Sequence, residues 1–174
     1  MSKKDLFEYF LRELVDWYCE YYKTSVSYFN EHSFNDLSKL KVLKLHFFAC
    51  STEEEALNIF NEFHAMPYGH VESDVYSYLN TLKYFNVTNS KLEFVNINDW
   101  NIVPDGDSEV IDRAIKNLKG ENAKLISFSP FELVELSHSW FSWRYTFSQA
   151  RKKESFSKKI ATNLIQQETK IYSL

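Results

Sequence analysis

The tightest constraint in this chain is Pro67-Tyr68-Gly69, which places a proline and a glycine two residues apart in a sequence that has only three of each. Proline fixes φ and glycine admits φ > 0, so the tripeptide marks a sharp chain reversal. Histidines and aromatic residues crowd both flanks, FHAMPYGHVESDVYSY over residues 63–78. Val71, Val75, Tyr76, Leu79 and Leu82 then recur at spacings of three and four, which predicts a helix directly after the reversal. The scarcity of glycine and proline elsewhere argues against a turn-rich β-sandwich and for helices joined by short polar loops.

At 174 residues and 44% hydrophobic content, the chain suits one domain and can bury a sizeable core. Fifteen Phe, eleven Tyr and four Trp exceed what a disordered chain tolerates, and surplus rings belong at a contact surface. The expected fold is therefore mainly α: a single compact multi-helix domain over residues 1–174, with at most a small β-hairpin around residues 86–103. Met1-Ser2-Lys3-Lys4-Asp5 leads into an amphipathic segment rather than a signal peptide, and no run of eighteen apolar residues exists. Cys19 and Cys50 read as buried thiols. A cytoplasmic protein with no membrane partner is expected.

The pattern along the chain predicts an amphipathic helix over residues 4–22, with Phe7, Phe10, Leu11, Leu14, Trp17, Tyr18 and Tyr21 on one stripe. Thr24–Ser33 reads as a loop. Asn35 is placed to cap a second helix running to Cys50, apolar around so much of its circumference that it should be central. Ser51 and Glu54 suggest a capping box for a short helix that carries Leu57, Ile59, Phe60 and Phe63 into the reversal. Leu92–Ile97 suggests a short strand, and Pro104–Asp107 a turn. A helix capped by Asp107 or Ser108, lined by Val110, Ile111, Ala114, Ile115 and Leu118 and stopped by Gly120, follows. Ser129-Pro130-Phe131-Glu132 is the clearest start signal, with cap, first-turn proline and capping-box glutamate in place. After the aromatic run SWFSWRYTF comes a basic linker, then a last helix over 157–172 with Ile160, Leu164, Ile165 and Ile171 inward.

The net charge of −4 is uneven. Residues 144–174 hold seven basic against two acidic residues, a net of +5, so the rest of the chain carries −9. An acidic protein repels nucleic acid unless a basic face dominates locally, which makes nucleic acid the less favoured partner. The five histidines (His32, His46, His64, His70, His138) lack the short Cys/His or i, i+4 His spacing of a metal site. Cys50 and His46 stand one helical turn apart but lack an activating third group, and three scattered glycines form no phosphate loop. No catalytic group, cofactor or metal is expected. His138, at the end of a Leu-rich helix, can meet carbonyls there, with Trp143 packed beneath it. Lys41 and Lys44 fall on the narrow polar strip of the central helix, either reaching to solvent or meeting an acidic partner.

Three blocks, in order, resemble the Panacea domain, also called the SocA-like antitoxin domain, of toxin–antitoxin operons and phage-associated GepA-type proteins. The first is KVLKLHFFA, Lys41–Ala49; the second is AMPYGHV, Ala65–Val71, continuing to Val75-Tyr76. The third is LVELSH, Leu133–His138, with Trp143 five residues on. The likeness spans about residues 35–172, and Met66 and His70 stand where the family usually has Trp and Pro. It implies a mainly helical, non-enzymatic domain that neutralises a toxin encoded beside it by direct contact, in some members by delivering that toxin to a protease. Read from the residues themselves, the candidate partner contacts are Lys41, Lys44, Tyr68, His70, Tyr76, His138 and Trp143, with Pro67, Gly69 and Val71 as the structural signature of the turn. The alternative is a nucleic-acid-associated regulator that uses the basic C-terminal segment.

Overall fold

The computed structural model of the protein describes residues 1–32 and 34–174. Helix α1 (Lys3–Tyr21) begins at a capping box in which the Ser2 hydroxyl accepts from the Asp5 amide at 3.1 Å and the Asp5 carboxylate returns to Ser2. The predicted stripe is buried from Phe7 to Trp17, whereas Tyr21 is exposed. Glu8 lies inside as well, because each of its carboxylate oxygens accepts one backbone amide, from Lys83 and from Tyr84, both at 2.7 Å. Helix α2 (Val26–His32) occupies most of the stretch expected to be loop, seated by the buried ring of Phe29, and Ser33 lies outside the described residues.

Helix α3 (Lys39–Ser51) is central, as its all-round apolar character predicts, with every residue from Lys41 to Ser51 buried. Its cap is Ser38 rather than Asn35. The Asn35 amide instead clasps the backbone of Leu92, accepting from its N–H at 3.0 Å and donating to its carbonyl at 2.9 Å. The expected capping box at Ser51 is also absent: Ser51 is the last residue of α3, its hydroxyl donates to the Phe48 carbonyl, and Glu53 starts α4 (Glu54–Ile59) without a side-chain cap.

The reversal joins two strands, β1 (Phe63–Met66) and β2 (Gly69–Glu72), in place of the two helices that periodicity suggested. Four-residue strands are too short for their side-chain period to show against helical spacing, and β2 is buried at every position, so it does not alternate. The helix expected from Val71 starts only at Ser73, as α5 (Ser73–Tyr78), capped by the Glu72 carboxylate on the Val75 amide at 2.7 Å. A second hairpin, β3 (Phe85–Val87) with β4 (Leu92–Phe94), falls in the region read as a possible strand.

Helix α6 (Gly106–Asn122) buries the predicted Val110, Ile111, Ala114, Ile115 and Leu118. Its cap is Asp105, two residues before the earlier of the two expected caps, and it runs through Gly120 to Asn122. Helix α7 (Pro130–His138) starts at the predicted Ser129–Glu132 capping box. The aromatic run then forms α8 (Phe141–Lys152), which extends into the expected basic linker. The predicted final helix is replaced by a short strand β5 (Lys158–Lys159), α9 (Thr162–Gln167) and extended chain. Strand β5 pairs with the free edge of β1, giving the antiparallel order β2-β1-β5. Even so, the protein is mainly α, with helices around α3 and only small sheets. No helix among the described residues is long and apolar enough to cross a membrane.

The Glu8 carboxylate tests how far this packing depends on side chains that satisfy backbone groups. Glu8→Ala strands two amides, one of them fully buried, and should lower unfolding free energy by about 2–4 kcal/mol in urea titration, with Glu8→Gln intermediate because it keeps one acceptor oxygen.

Candidate functional site

The antiparallel register pairs Met66 with Gly69 and Ala65 with His70, leaving Pro67-Tyr68 as the two-residue turn. Gly69 has φ of +101°, a backbone conformation that residues with a side chain rarely adopt, and it leads the chain from the proline-led turn into β2. A side chain at this position would also collide with its surroundings, since a Cβ there would lie 2.8 Å from the Cβ of Ser137 and closer still to its hydroxyl.

No strand among the described residues covers the outer edge of β2, so the N–H and C=O of His70 need other partners. The Ser137 hydroxyl, at the end of α7, accepts the His70 amide at 3.0 Å, and Lys44 Nζ of α3 donates to the His70 carbonyl. The imidazole is held as firmly. Its Nδ1 faces Ser137 Oγ at 2.7 Å and its Nε2 faces Ser142 Oγ at 2.8 Å, and each hydroxyl can complement whichever nitrogen carries the proton. The ring stacks on Phe47 of α3 with centroids 3.6 Å apart and planes 8° from parallel.

The turn carbonyls are held from the other side. Trp143 Nε1 of α8 donates to Met66 O at 2.8 Å, and His138 Nε2 of α7 meets Pro67 O at 2.9 Å. His138 and Trp143 stack at 3.8 Å, and Trp143 continues onto Phe147 at 4.9 Å. The three sequence blocks therefore meet at one place.

This placement corrects the set of expected contact residues. Lys41, Lys44 and His70 are fully buried, and so cannot face a partner. Lys41 does meet a carboxylate, but that of Asp36 in its own chain, at 2.8 Å. Val71 is buried beside Gly69, and His138 and Trp143 are half-buried with their polar atoms bound to the turn. Tyr68 and Tyr76 are exposed, by 60% and 48%. They rim a groove of about 470 Å³ whose floor is Leu40, Leu43, Met66 and Val71, with Lys39 at one end, its ammonium group 4.7 Å from the Tyr76 ring centroid. Leu40, Leu43 and Lys39 escaped the sequence reading because their side chains are ordinary helix residues until β1 and β2 are folded against α3. Ser137 and Ser142 gave no signal of their own, as serines amid apolar runs.

Burial sets the protonation of the site. Lys44 has no carboxylate partner among the described residues, and desolvation drives its pKa from 10.5 down to about 7. Desolvation, with smaller contributions from Lys44 and His138, pushes His70 far below the usual histidine range and keeps it neutral. Elsewhere on α3, Cys50 Sγ lies 3.6 Å from His46 Nε2, but burial raises the thiol well above its ordinary pKa and lowers His46 to about 3. Both stay uncharged, the reverse of an activated thiolate–imidazolium pair. No group of three or more His, Cys, Asp or Glu among the described residues is placed to hold a metal. Comparison with protein-family models, curated proteins and solved structures finds no match for this chain.

Two measurements probe this arrangement. Gly69→Ala combines an unfavourable φ with overlap against Ser137 and should cost about 3–5 kcal/mol by chemical denaturation. Lys44 binds a proton in the unfolded chain but has mostly lost it in the folded one between pH 7 and pH 9. Its contribution therefore makes stability rise with pH across that window, by up to about 1.4 kcal/mol per pH unit. Lys44→Met should remove that contribution in melts at pH 7, 7.5 and 8, below the pH at which the unfolded chain's thiols lose protons that burial holds on Cys19 and Cys50 in the folded one.

Proposed function

We propose that the protein is a non-enzymatic, cytoplasmic binding protein of the antitoxin type, which neutralises a toxin encoded beside it by covering that toxin's active surface. The observation that supports this reading is the groove between α3, the hairpin turn and α5. It is apolar along its floor, rimmed by two exposed tyrosines and a lysine, and built on a turn whose backbone is fixed by four side chains from other elements. An aromatic pair over an apolar floor with a charged edge is the composition of an interface centre, where a few anchors carry most of the binding energy. The likeness of the three blocks to SocA-like domains supplies the identity of the partner class, and delivery to a protease is a further role that likeness allows. The neutral, buried state of Cys50, His46 and His70 supports a binding rather than a catalytic role.

Co-expression with the neighbouring gene product is the direct test. The neighbour should be toxic alone, harmless beside this chain, and recovered bound to it. A neighbour that is harmless by itself and does not co-purify refutes the reading. Tyr68→Ala and Tyr76→Ala, both at exposed positions, should leave the thermal melt unchanged while weakening the complex by roughly tenfold or more each in calorimetry.

A further inference from the structure

A second surface lies on α8, away from the groove rim. Ser142, Thr146 and Ala150 face inward, and Trp143 and Phe147 stack against the turn side. Phe141, Arg144, Tyr145, Ser148 and Lys152 then fall on the exposed face at helical spacing. Phe141 and Tyr145 stack on each other at 5.5 Å with planes 23° apart, which holds two rings open to solvent in fixed positions. In the last turn of the helix, the Arg151 guanidinium sits 3.9 Å over the exposed ring of Phe156, four residues past the helix end.

The charge on this surface is uncompensated. Helix α8 carries no acidic residue, and Glu154 is the one carboxylate between it and β5. Arg144, Arg151, Lys152, Lys153 and Lys158 take part in no ion pair among the described residues. Of the neighbouring acids, Glu62 is engaged by Lys159 at 2.6 Å, and Glu168 accepts the Ser142 amide at 3.0 Å at the start of α8. A protein of net charge −4 thus gathers five cations without an ion pair and three exposed rings along α8, the loop after it and the start of β5.

We propose that this face binds single-stranded nucleic acid, with the arginines and lysines on phosphates and the rings of Phe141, Tyr145 and Phe156 stacked on bases. The rings decide between polyanions. An acidic peptide would satisfy the cations and leave three rings in water, and a duplex keeps its bases out of reach inside the stack. A single strand alone offers alternating phosphate and base to alternating cation and ring. Helix α8 is about 18 Å long, which suits the shortest such sites of about four nucleotides. The overall negative charge opposes unspecific attachment elsewhere on the surface, so binding should be confined to this stripe.

The test is fluorescence anisotropy of the full chain with a labelled oligothymidylate and a labelled oligouridylate, titrated from about 50 to about 200 mM salt. The expected dependence of log affinity on log salt has a slope of about −2 to −3.5, from three to five phosphates engaged on a single strand. Tyr145→Ala and Phe141→Ala should each weaken binding by roughly tenfold with the slope unchanged, whereas Tyr145→Phe should keep the affinity. Arg144→Gln and Lys152→Gln should each make the slope shallower by about 0.7. All of these positions are exposed, and circular dichroism melts verify that the variants remain folded. Absence of binding at the lowest salt overturns the proposal. So does binding that ignores the ring substitutions and is displaced equally well by polyglutamate, which would assign the face to an acidic protein instead. None of these outcomes depends on the groove or on any toxin.

Discussion

The structure depends on one backbone requirement: the outer edge of β2 is buried without a neighbouring strand. In the antiparallel register, Ala65 and His70 form a pair whose N–H and C=O groups point away from each other, so those of His70 face α3 and α7. Burying an unpaired amide and carbonyl costs about 1–3 kcal/mol each, and here Ser137 and Lys44 take the place of the missing strand. Several otherwise odd features follow from that substitution. Gly69 must lack a side chain because Ser137 has come close enough to bond the next amide. Lys44 must sit in the core because its nitrogen is the donor that the carbonyl needs. The imidazole of His70, wedged between Ser137, Ser142 and Phe47, then ties the hairpin to α3, α7 and α8 at once.

The electrostatics of the core obey the same logic. Charge is tolerated inside only where a partner is provided, as for Lys3 between Glu72 at 2.6 Å and Asp74 at 2.7 Å, or for Lys41 against Asp36. Where no opposite charge is provided, burial disfavours the charged form, which accounts for the lowered pKa of Lys44, His46 and His70 together. A neutral amine still donates a hydrogen bond, so Lys44 keeps its structural role without the full penalty of an isolated buried ion.

Helices set by local chemistry were legible in the sequence. The Ser129–Glu132 box, the stripe of α1 and the all-round apolar face of α3 each rest on contacts within a turn or two of themselves, and each appears where its residues put it. The small sheet was not legible. Strands β1, β2 and β5 total ten residues, and β5 meets β1 across more than ninety positions of sequence, so no local pattern records the pairing. Caps failed for a related reason. Asn35 and Ser51 had the right chemistry for helix starts, but Leu92 and Tyr172 claimed them, the latter through a hydroxyl contact at 3.0 Å. At the site, the sequence picked out the turn and the three blocks that converge on it. It misplaced Lys41, Lys44 and His70 because a polar residue on a central helix or a buried strand looks the same on paper whether it faces water or a neighbouring carbonyl.

Tyr68 stands on the part of the backbone that has least freedom. The residues before and after it are anchored by His138, Trp143, Ser137 and Lys44, and its own side chain has only two torsions left to settle. Whatever meets that ring gives up little conformational entropy on the protein's side, because the ordering was completed when the chain folded. The interactions that close an unprotected strand edge inside the core thereby preorganise a solvent-facing aromatic group on its opposite side.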